Sequence, residues 1–260
     1  MNGARRNGSS PSQAGASVVI DSFPGTVGRY SDDHRIVVVD VIRATTLAVT
    51  ATAEGRRCIV ARTPDEAVAT RDRLGGGILA GELGGDLPAG FDMNNSPAEL
   101  AARTDTELPL IMVSTSGGPL MIEAGAGADG ADVACFRNFT AVARSLIGTH
   151  RKVAIIGAGS RGEFREEDQM CCAWIGELLM GAGYVPETDE TRQLIERWSG
   201  APATACESSN SVAYLRRSGQ LHDYDFIVNH VDDLDYACSV EGNEVVAESP
   251  VLRASTAAVG

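Results

Sequence analysis

Short runs of apolar and β-branched residues alternate with helix-like segments along most of this chain. Such alternation is typical of an α/β fold. The runs IVVVDV and KVAIIG are apolar on both faces of the strand rather than at every second position, which favours strands covered by helices on each side. The sequence therefore predicts a three-layer α/β/α sandwich around a mostly parallel or mixed sheet.

The same pattern gives expected bounds for the elements. Strands are predicted at 36–41, 57–61, 77–80, 110–114, 133–136 and 153–156, and helices at 45–54, 64–74, 118–124, 139–147 and 166–180. Two more helices are predicted at 188–199 and 208–218, followed by a hairpin of 236–240 and 244–247. We expect a disordered leader over 1–16, an α/β catalytic core over 17–183, and a smaller C-terminal helical and hairpin subdomain over 184–260 that completes the same fold.

Charge and hydropathy exclude several classes of partner. The formal net charge is −13, from 22 Lys and Arg against 35 Asp and Glu, so DNA or RNA would meet a repulsive surface. No run approaches the roughly 18 apolar residues of a membrane helix, and the first residues lack the apolar core of a secretory signal. We expect a cytoplasmic protein with no nucleic-acid or membrane partner, and a homodimer as the default assembly.

Polar residues close the predicted strands, where open α/β sheets bind their ligands. Asp40 ends the first of these strands, Arg43 follows, and Thr45 opens a helix. A carboxylate at that point can hold a cation, while a guanidinium and the free N–H groups of a helix start can hold an anion. An Asp–Arg ion pair with a threonine helix cap would give the same pattern.

The next two strand ends add further candidates. ILAGELGGDLPAGFDMNNSP is long and rich in glycine, and it carries the carboxylates Glu82, Asp86 and Asp92. Oxygen donors at this density suit Mg²⁺, although a solvated acidic loop that caps the next helix is the structural alternative. The turn VSTSGGP could form an anion-binding nest at a helix start through Ser116, Gly117 and Gly118, or it could be a plain strand-to-helix turn.

The segment KVAIIGAGSRGEFREEDQM contains the spacing G-x-G-x-x-G. That spacing alone would suggest a dinucleotide site. Acidic residues, however, crowd the helix start where a pyrophosphate would bind, so we do not expect one. A carboxylate that reaches a shared metal is the functional interpretation, and an acidic helix start stabilised by the helix dipole is the structural one.

Taken in order, these segments resemble the 2-phosphosulfolactate phosphatase family, Mg²⁺-dependent phosphomonoesterases of coenzyme M biosynthesis. The resemblance runs from about Ser17 to about Val246. Its most specific pieces are D-V-x-R-A-T-T at 40–46, G-F-D-x-x-N-S-P at 90–97 and G-x-x-G-x-F-x-x-E-D at 159–168. It implies hydrolysis of a small phosphorylated organic acid or related phosphomonoester. A non-hydrolytic enzyme, such as a lyase or transferase, and a binding protein for a phosphorylated or sulfonated metabolite are the alternatives.

The resemblance and the strand-end pattern together give a set of expected site residues. The expected catalytic residues are Asp40, Arg43, Glu82 and Asp168. The expected substrate-binding residues are Thr45, Thr46, Asn95, Ser96, Ser116, Gly117, Gly118 and Arg161. The expected metal ligands are drawn from Asp40, Glu82, Asp92, Glu167 and Asp168. Either a water activated at Mg²⁺ or Asp40 itself could attack the phosphorus.

The chain departs from the family pattern in two places. Leu83 stands where the family's block usually reads G-E-R-G-G, and Ser116-Gly117-Gly118-Pro119 lies where it reads like T-T-x-N-G-T. A guanidinium, a carboxamide and a hydroxyl that could bind a doubly acidic substrate are therefore missing. These departures predict a less acidic or differently shaped substrate, or a weakened hydrolytic activity.

Overall fold

The protein is described by a computed structural model that covers residues 15–127 and 129–248. The strands are β1 (Ser17–Ser22), β2 (Arg35–Val39), β3 (Cys58–Val60), β4 (Ile78–Gly81), β5 (Leu110–Val113), β6 (Ala131–Ala134), β7 (Lys152–Gly157), β8 (Val185–Pro186), β9 (Cys238–Glu241) and β10 (Glu244–Ala247). The helices are α1 (Ala44–Ala53), α2 (Pro64–Leu74), α3 (Pro97–Ala101), α4 (Gly117–Gly125), α5 (Phe139–Leu146), α6 (Glu166–Gly181), α7 (Asp189–Trp198), α8 (Asn210–Arg217) and α9 (Leu221–Asn229). Most of the predicted leader, 1–14, and the last residues, 249–260, lie outside the described part.

The described strands form one sheet in the order β4-β5-β3-β10-β9-β6-β2-β7-β1-β8. Strands within the β4-β5-β3 block are parallel, as are those within the β6-β2-β7-β1-β8 block. The hairpin β9-β10 joins the two blocks through antiparallel pairings. The sheet is therefore mixed, and its two parallel blocks run in opposite directions. The hairpin strands β9 and β10, from the C-terminal part of the described chain, lie at the centre of the sheet.

Helices cover both faces of the sheet because strand residues alternate between two apolar clusters. Val38 of β2 belongs to the cluster that contains Leu47 of α1 and residues of α4. Its neighbour Val37 belongs to the cluster formed with α5, α6 and α7. A smaller cluster places α2 against β4 and β5. This arrangement confirms the predicted three-layer α/β sandwich.

Most predicted elements begin and end within one or two residues of the observed ones. Four observed elements were not predicted: β1, β8, α3 and α9. Of these, β8 and α3 have too few residues for a periodic signal. The sequence FIVN looks strand-like but lies in α9, where Tyr224 and Ile227 form a buried face three residues apart. Within 15–127 and 129–248, no helix has both the length and the apolar character needed to cross a bilayer.

Candidate active site

One cleft of about 390 Å³ collects residues from four of the segments that the sequence singled out. The four predicted catalytic residues all line it: Asp40, Arg43, Glu82 and Asp168. Three of the predicted substrate-binding residues line it as well: Asn95, Ser116 and Arg161. The cleft is therefore the candidate active site.

The turn between β2 and α1 holds Asp40 at the cleft. The Thr45 hydroxyl donates to the Asp40 carbonyl oxygen at 2.7 Å and accepts from the Asp40 N–H at 2.9 Å. The Ala44 N–H donates to Asp40 Oδ1 at 3.2 Å, and the Thr46 hydroxyl donates to the Val41 carbonyl at 2.7 Å. Both threonines, predicted to bind substrate, therefore fix the backbone of this turn and do not line the cleft.

The start of α4 lies against the same turn. A Cβ atom on Gly117 would lie 2.3 Å from Asp40 Oδ2 and 2.6 Å from the Ala44 Cβ atom, so only glycine fits there. The Gly118 N–H donates to Ser114 Oγ at 2.7 Å. Gly118 itself does not line the cleft. Contact between the starts of α1 and α4 brings the end of β5 to Asp40, although β5 and β2 belong to oppositely directed blocks.

Glu82 organises the glycine-rich loop that follows β4. Its Oε1 accepts from the Thr115 N–H at 2.7 Å. Its Oε2 accepts from the Thr115 hydroxyl at 2.8 Å and from the Gly85 N–H at 2.7 Å. The carboxylate therefore joins the loop to the end of β5 while it lines the cleft.

Asp168, in the first turn of α6, joins two further segments. Its Oδ1 accepts from the Val41 N–H at 2.8 Å, and its Oδ2 accepts from the Gly159 N–H at 3.2 Å. Its neighbour Glu167 is 1% exposed and does not line the cleft. Glu167 Oε2 has no hydrogen-bond partner among the described residues. Of this acidic pair, only Asp168 can touch a ligand in the cleft directly.

Burial and mutual repulsion shift these carboxyl groups toward their protonated forms. Burial raises the pKa of Asp40 to about 7, and the negative charges of Glu82 and Glu167 add to this, partly offset by the Ala44 N–H and Arg43. Burial also raises the pKa of Asp168 well above its usual value, with contributions from Asp40 and Glu167. The pKa of Glu167 is raised by burial despite a hydrogen bond from Ser211. A cation in the cleft would relieve this repulsion.

Arg43 is held by a partner that sequence reasoning missed. Its Nη1 lies 2.6 Å from Asp223 Oδ2, and Asp223 is completely buried. Its Nη2 donates to Asn94 Oδ1 at 2.8 Å. Asp223 also accepts from the Ser96 hydroxyl. No motif marks Asp223 in the sequence, and the signal available was a single acidic residue on the buried face of α9.

Two further predicted site residues, Asp92 and Ser96, also lie outside the cleft. Asp92 is exposed, does not line the cleft, and accepts from the Leu79 N–H at 2.8 Å, so the structure does not bring it to the other predicted metal ligands. Ser96 is buried and caps α3 by accepting from the Glu99 N–H at 3.1 Å. Both side chains satisfy backbone groups of their own segments, which the spacing of the motif does not reveal.

The donor set fits Mg²⁺ only in part. Among residues 15–127 and 129–248, no three His, Cys, Asp or Glu side chains are arranged to hold a metal ion. Mg²⁺ commonly uses one or two carboxylates and completes its shell with water and substrate phosphate. Asp40 and Glu82 are the two carboxylates available for that role, because both line the cleft and the Glu82 charge contributes to the raised pKa of Asp40. A cation held there would need further ligands from water or from a phosphorylated substrate.

The cleft of this α/β sandwich combines acidic side chains with arginines, a lining that can bind a cation and an anionic small molecule together. A family model described as 2-phosphosulpholactate phosphatase matches residues 24–248, and the chain belongs to that family. This family is one of phosphoric monoester hydrolases, so the predicted family and enzyme class are confirmed.

Individual relatives agree with the family match. A protein of Deinococcus radiodurans, named probable 2-phosphosulfolactate phosphatase, is 34% identical over 194 residues, which cover 73% of this chain and 81% of the relative. A protein of Symbiobacterium thermophilum with the same name is 34% identical over 194 residues, covering 72% of this chain and 83% of the relative. A Synechococcus protein of that name is 26% identical over 215 residues, covering 80% and 87% respectively.

Proposed function

We propose that this protein is a Mg²⁺-dependent phosphatase that hydrolyses a small phosphorylated organic acid, with 2-phosphosulfolactate as the first compound to test. One observation carries the proposal: Asp40, Glu82 and Asp168 reach a single cleft beside Arg43. The names of the relatives support phosphate-ester hydrolysis. The homodimer and the cytoplasmic location stay predictions from the sequence.

Asp40, through its Oδ2, and Glu82 would hold Mg²⁺, with substrate phosphate and water in the other positions. When bound there, the ion supplies charge neutralisation for the phosphoryl oxygens. Asp168 is the carboxylate that takes the proton from the attacking water: it lines the cleft, and burial raises its pKa, which makes its ionised form a stronger base. Arg43, fixed by Asp223, places a positive charge beside Asp40. Covalent attack by Asp40 is the alternative route.

The first experiment measures phosphate release from a panel of phosphomonoesters that includes 2-phosphosulfolactate and 2-phospholactate. We expect turnover with Mg²⁺, none with EDTA, and loss of turnover in Asp40→Asn and Glu82→Gln. Asp86→Asn, which changes an exposed carboxylate outside the cleft, should keep its activity. Circular dichroism of each variant establishes that the fold is retained.

A second measurement separates hydrolysis from the alternatives. Mg²⁺ binding by calorimetry should weaken in Glu82→Gln in the absence of any substrate. Esters that bind without releasing phosphate would support a binding protein instead, and products other than inorganic phosphate and the free alcohol would support a lyase or transferase. Full turnover in EDTA would refute the role of the metal.

A further inference from the structure

Three arginines line the cleft but take no part in the chemistry proposed above: Arg161, Arg165 and Arg217. Arg161 and Arg165 belong to the loop between β7 and α6, and Arg217 is the last residue of α8. The sequence pointed only to Arg161. Three guanidinium groups in one cleft are notable in a chain with a net charge of −13.

Arg165 has a buried donor that lacks an acceptor. Its side chain is 13% exposed, and one terminal nitrogen pairs with the Glu163 carboxylate. The Asn210 side chain also donates to Glu163, at 2.9 Å to each oxygen, and so holds this carboxylate in place. The Arg165 Nε–H, however, has no partner among the described residues. Leaving such a donor unpaired is unfavourable, and the side chain that carries it lines the cleft.

Arg161 and Arg217 are the two arginines of the cleft that have no ion-pair partner among residues 15–127 and 129–248. Within the described residues neither one forms an ion pair; Arg161 donates to the Gly84 carbonyl at 3.2 Å. The backbone of Arg161 has φ +53, a conformation that favours glycine, and strained residues of this kind concentrate at ligand sites. Because Arg43 is paired with Asp223 and Arg165 with Glu163, Arg161 and Arg217 are the cleft arginines whose guanidinium groups are left to pair with an acidic group of a ligand.

We propose that Arg161, Arg165 and Arg217 form an anion subsite that binds a second acidic group of the substrate, in the same cleft as the phosphate. The inference rests on the proposed function for the phosphate half of the ligand. It reverses the expectation of a less acidic substrate drawn from Leu83. Leu83 is 42% exposed and offers no donor, whereas these arginines supply donors from the β7–α6 loop and α8.

The test compares two phosphonates that cannot be hydrolysed, so that binding is measured without turnover. 3-Phosphonopropionate carries a carboxylate, and propylphosphonate carries a methyl group in its place. Calorimetry should show that the wild-type protein binds 3-phosphonopropionate about tenfold to a hundredfold more tightly, the range expected for charge-assisted hydrogen bonds. Arg165→Lys keeps the charge beside Glu163 but removes the Nε–H, and Arg217→Gln removes an exposed charge. Each should lower this preference by several-fold, and affinity for propylphosphonate should stay within twofold.

Arg144→Gln is the matched control, since Arg144 is exposed on α5 and does not line the cleft; its preference should equal that of the wild type. Equal binding of the two phosphonates, a preference that survives both variants, or no binding of either compound would overturn the subsite. A preference that depends on the arginines, together with no phosphate release from any ester, would refute the proposed function and leave the subsite standing.

Discussion

Asp40 illustrates how a side chain of the cleft can oppose the stability of its own fold. The residue is 8% exposed, and burial raises its pKa to about 7. In the unfolded chain the same carboxyl group loses its proton near pH 4. Between about pH 4 and pH 7 the folded state therefore binds more protons than the unfolded state, so this group makes the protein less stable as the pH rises.

Replacement of Asp40 with asparagine should consequently stabilise the metal-free protein at pH 8 and have little effect at pH 4. The gain at pH 8 should be on the order of 4 kcal/mol, because three pKa units correspond to about that energy. Thermal unfolding in EDTA across this pH range measures the difference. Asp86→Asn serves as the control and should be neutral at both values, and a variant no more stable than wild type at pH 8 would contradict the argument.

The Arg43–Asp223 pair makes the opposite kind of contribution. Both side chains are buried, and removal of one partner would leave the other charge unpaired in the interior. Asp223→Ala should therefore destabilise the protein by about 3–5 kcal/mol. Asp225→Ala, an exposed change two residues further along α9, should cost less than about 0.5 kcal/mol. Denaturant unfolding of the two variants provides the measurement, and equal stabilities would show that the pair is not structural.

For individual residues, the sequence predicts which segments meet at the cleft but not the direction in which each side chain points. Asp40, Glu82 and Asp168 were expected from their motifs, and all three line the cleft. Thr45 comes from one of the same motifs but bonds its own turn. Asp223 lies 180 positions from Arg43, so no local pattern could reveal their contact.

The contact between α1 and α4 is the element-level feature that assembles the site. Helix propensity and strand periodicity predicted both helices almost to the residue, because each follows a short apolar strand. Their mutual packing depends on Gly117, whose missing side chain leaves room for Asp40 and Ala44. A glycine in the sequence indicates only that close approach is possible.

Gly117→Ala should separate the starts of the two helices and displace the Asp40 carboxylate. We expect phosphate release to fall at least tenfold, since a new Cβ atom would overlap Asp40 Oδ2. Gly181→Ala is the same substitution at the end of α6, where nothing lies within 4 Å of the added atom. It should leave turnover unchanged and stabilise the protein by up to about 1 kcal/mol. Equal activities of the two variants would rule out this role for Gly117.

At the scale of the whole molecule, the β9-β10 hairpin connects the two parallel blocks of the sheet. The turn residues Gly242 and Asn243 predicted the hairpin. Its pairing with β3 and β6 could not be predicted, because those two strands are far from the hairpin in the sequence. Since the hairpin lies between the blocks, we propose that the core over 17–183 and the C-terminal part over 184–248 unfold as one cooperative unit.

Val240→Ala tests this coupling. Val240 is completely buried in β9, and loss of its methyl groups should cost about 2 kcal/mol through reduced apolar burial and a cavity. If the sheet unfolds as a unit, amide hydrogen exchange under native conditions should accelerate by the same factor in β5 and in β7, on opposite sides of the hairpin. Val185→Ala, at a position that is 58% exposed, should change neither rate. Faster exchange in the β4-β5-β3 block alone would show that the two blocks unfold separately, because β2 and β7 would then keep their protection without the central strands.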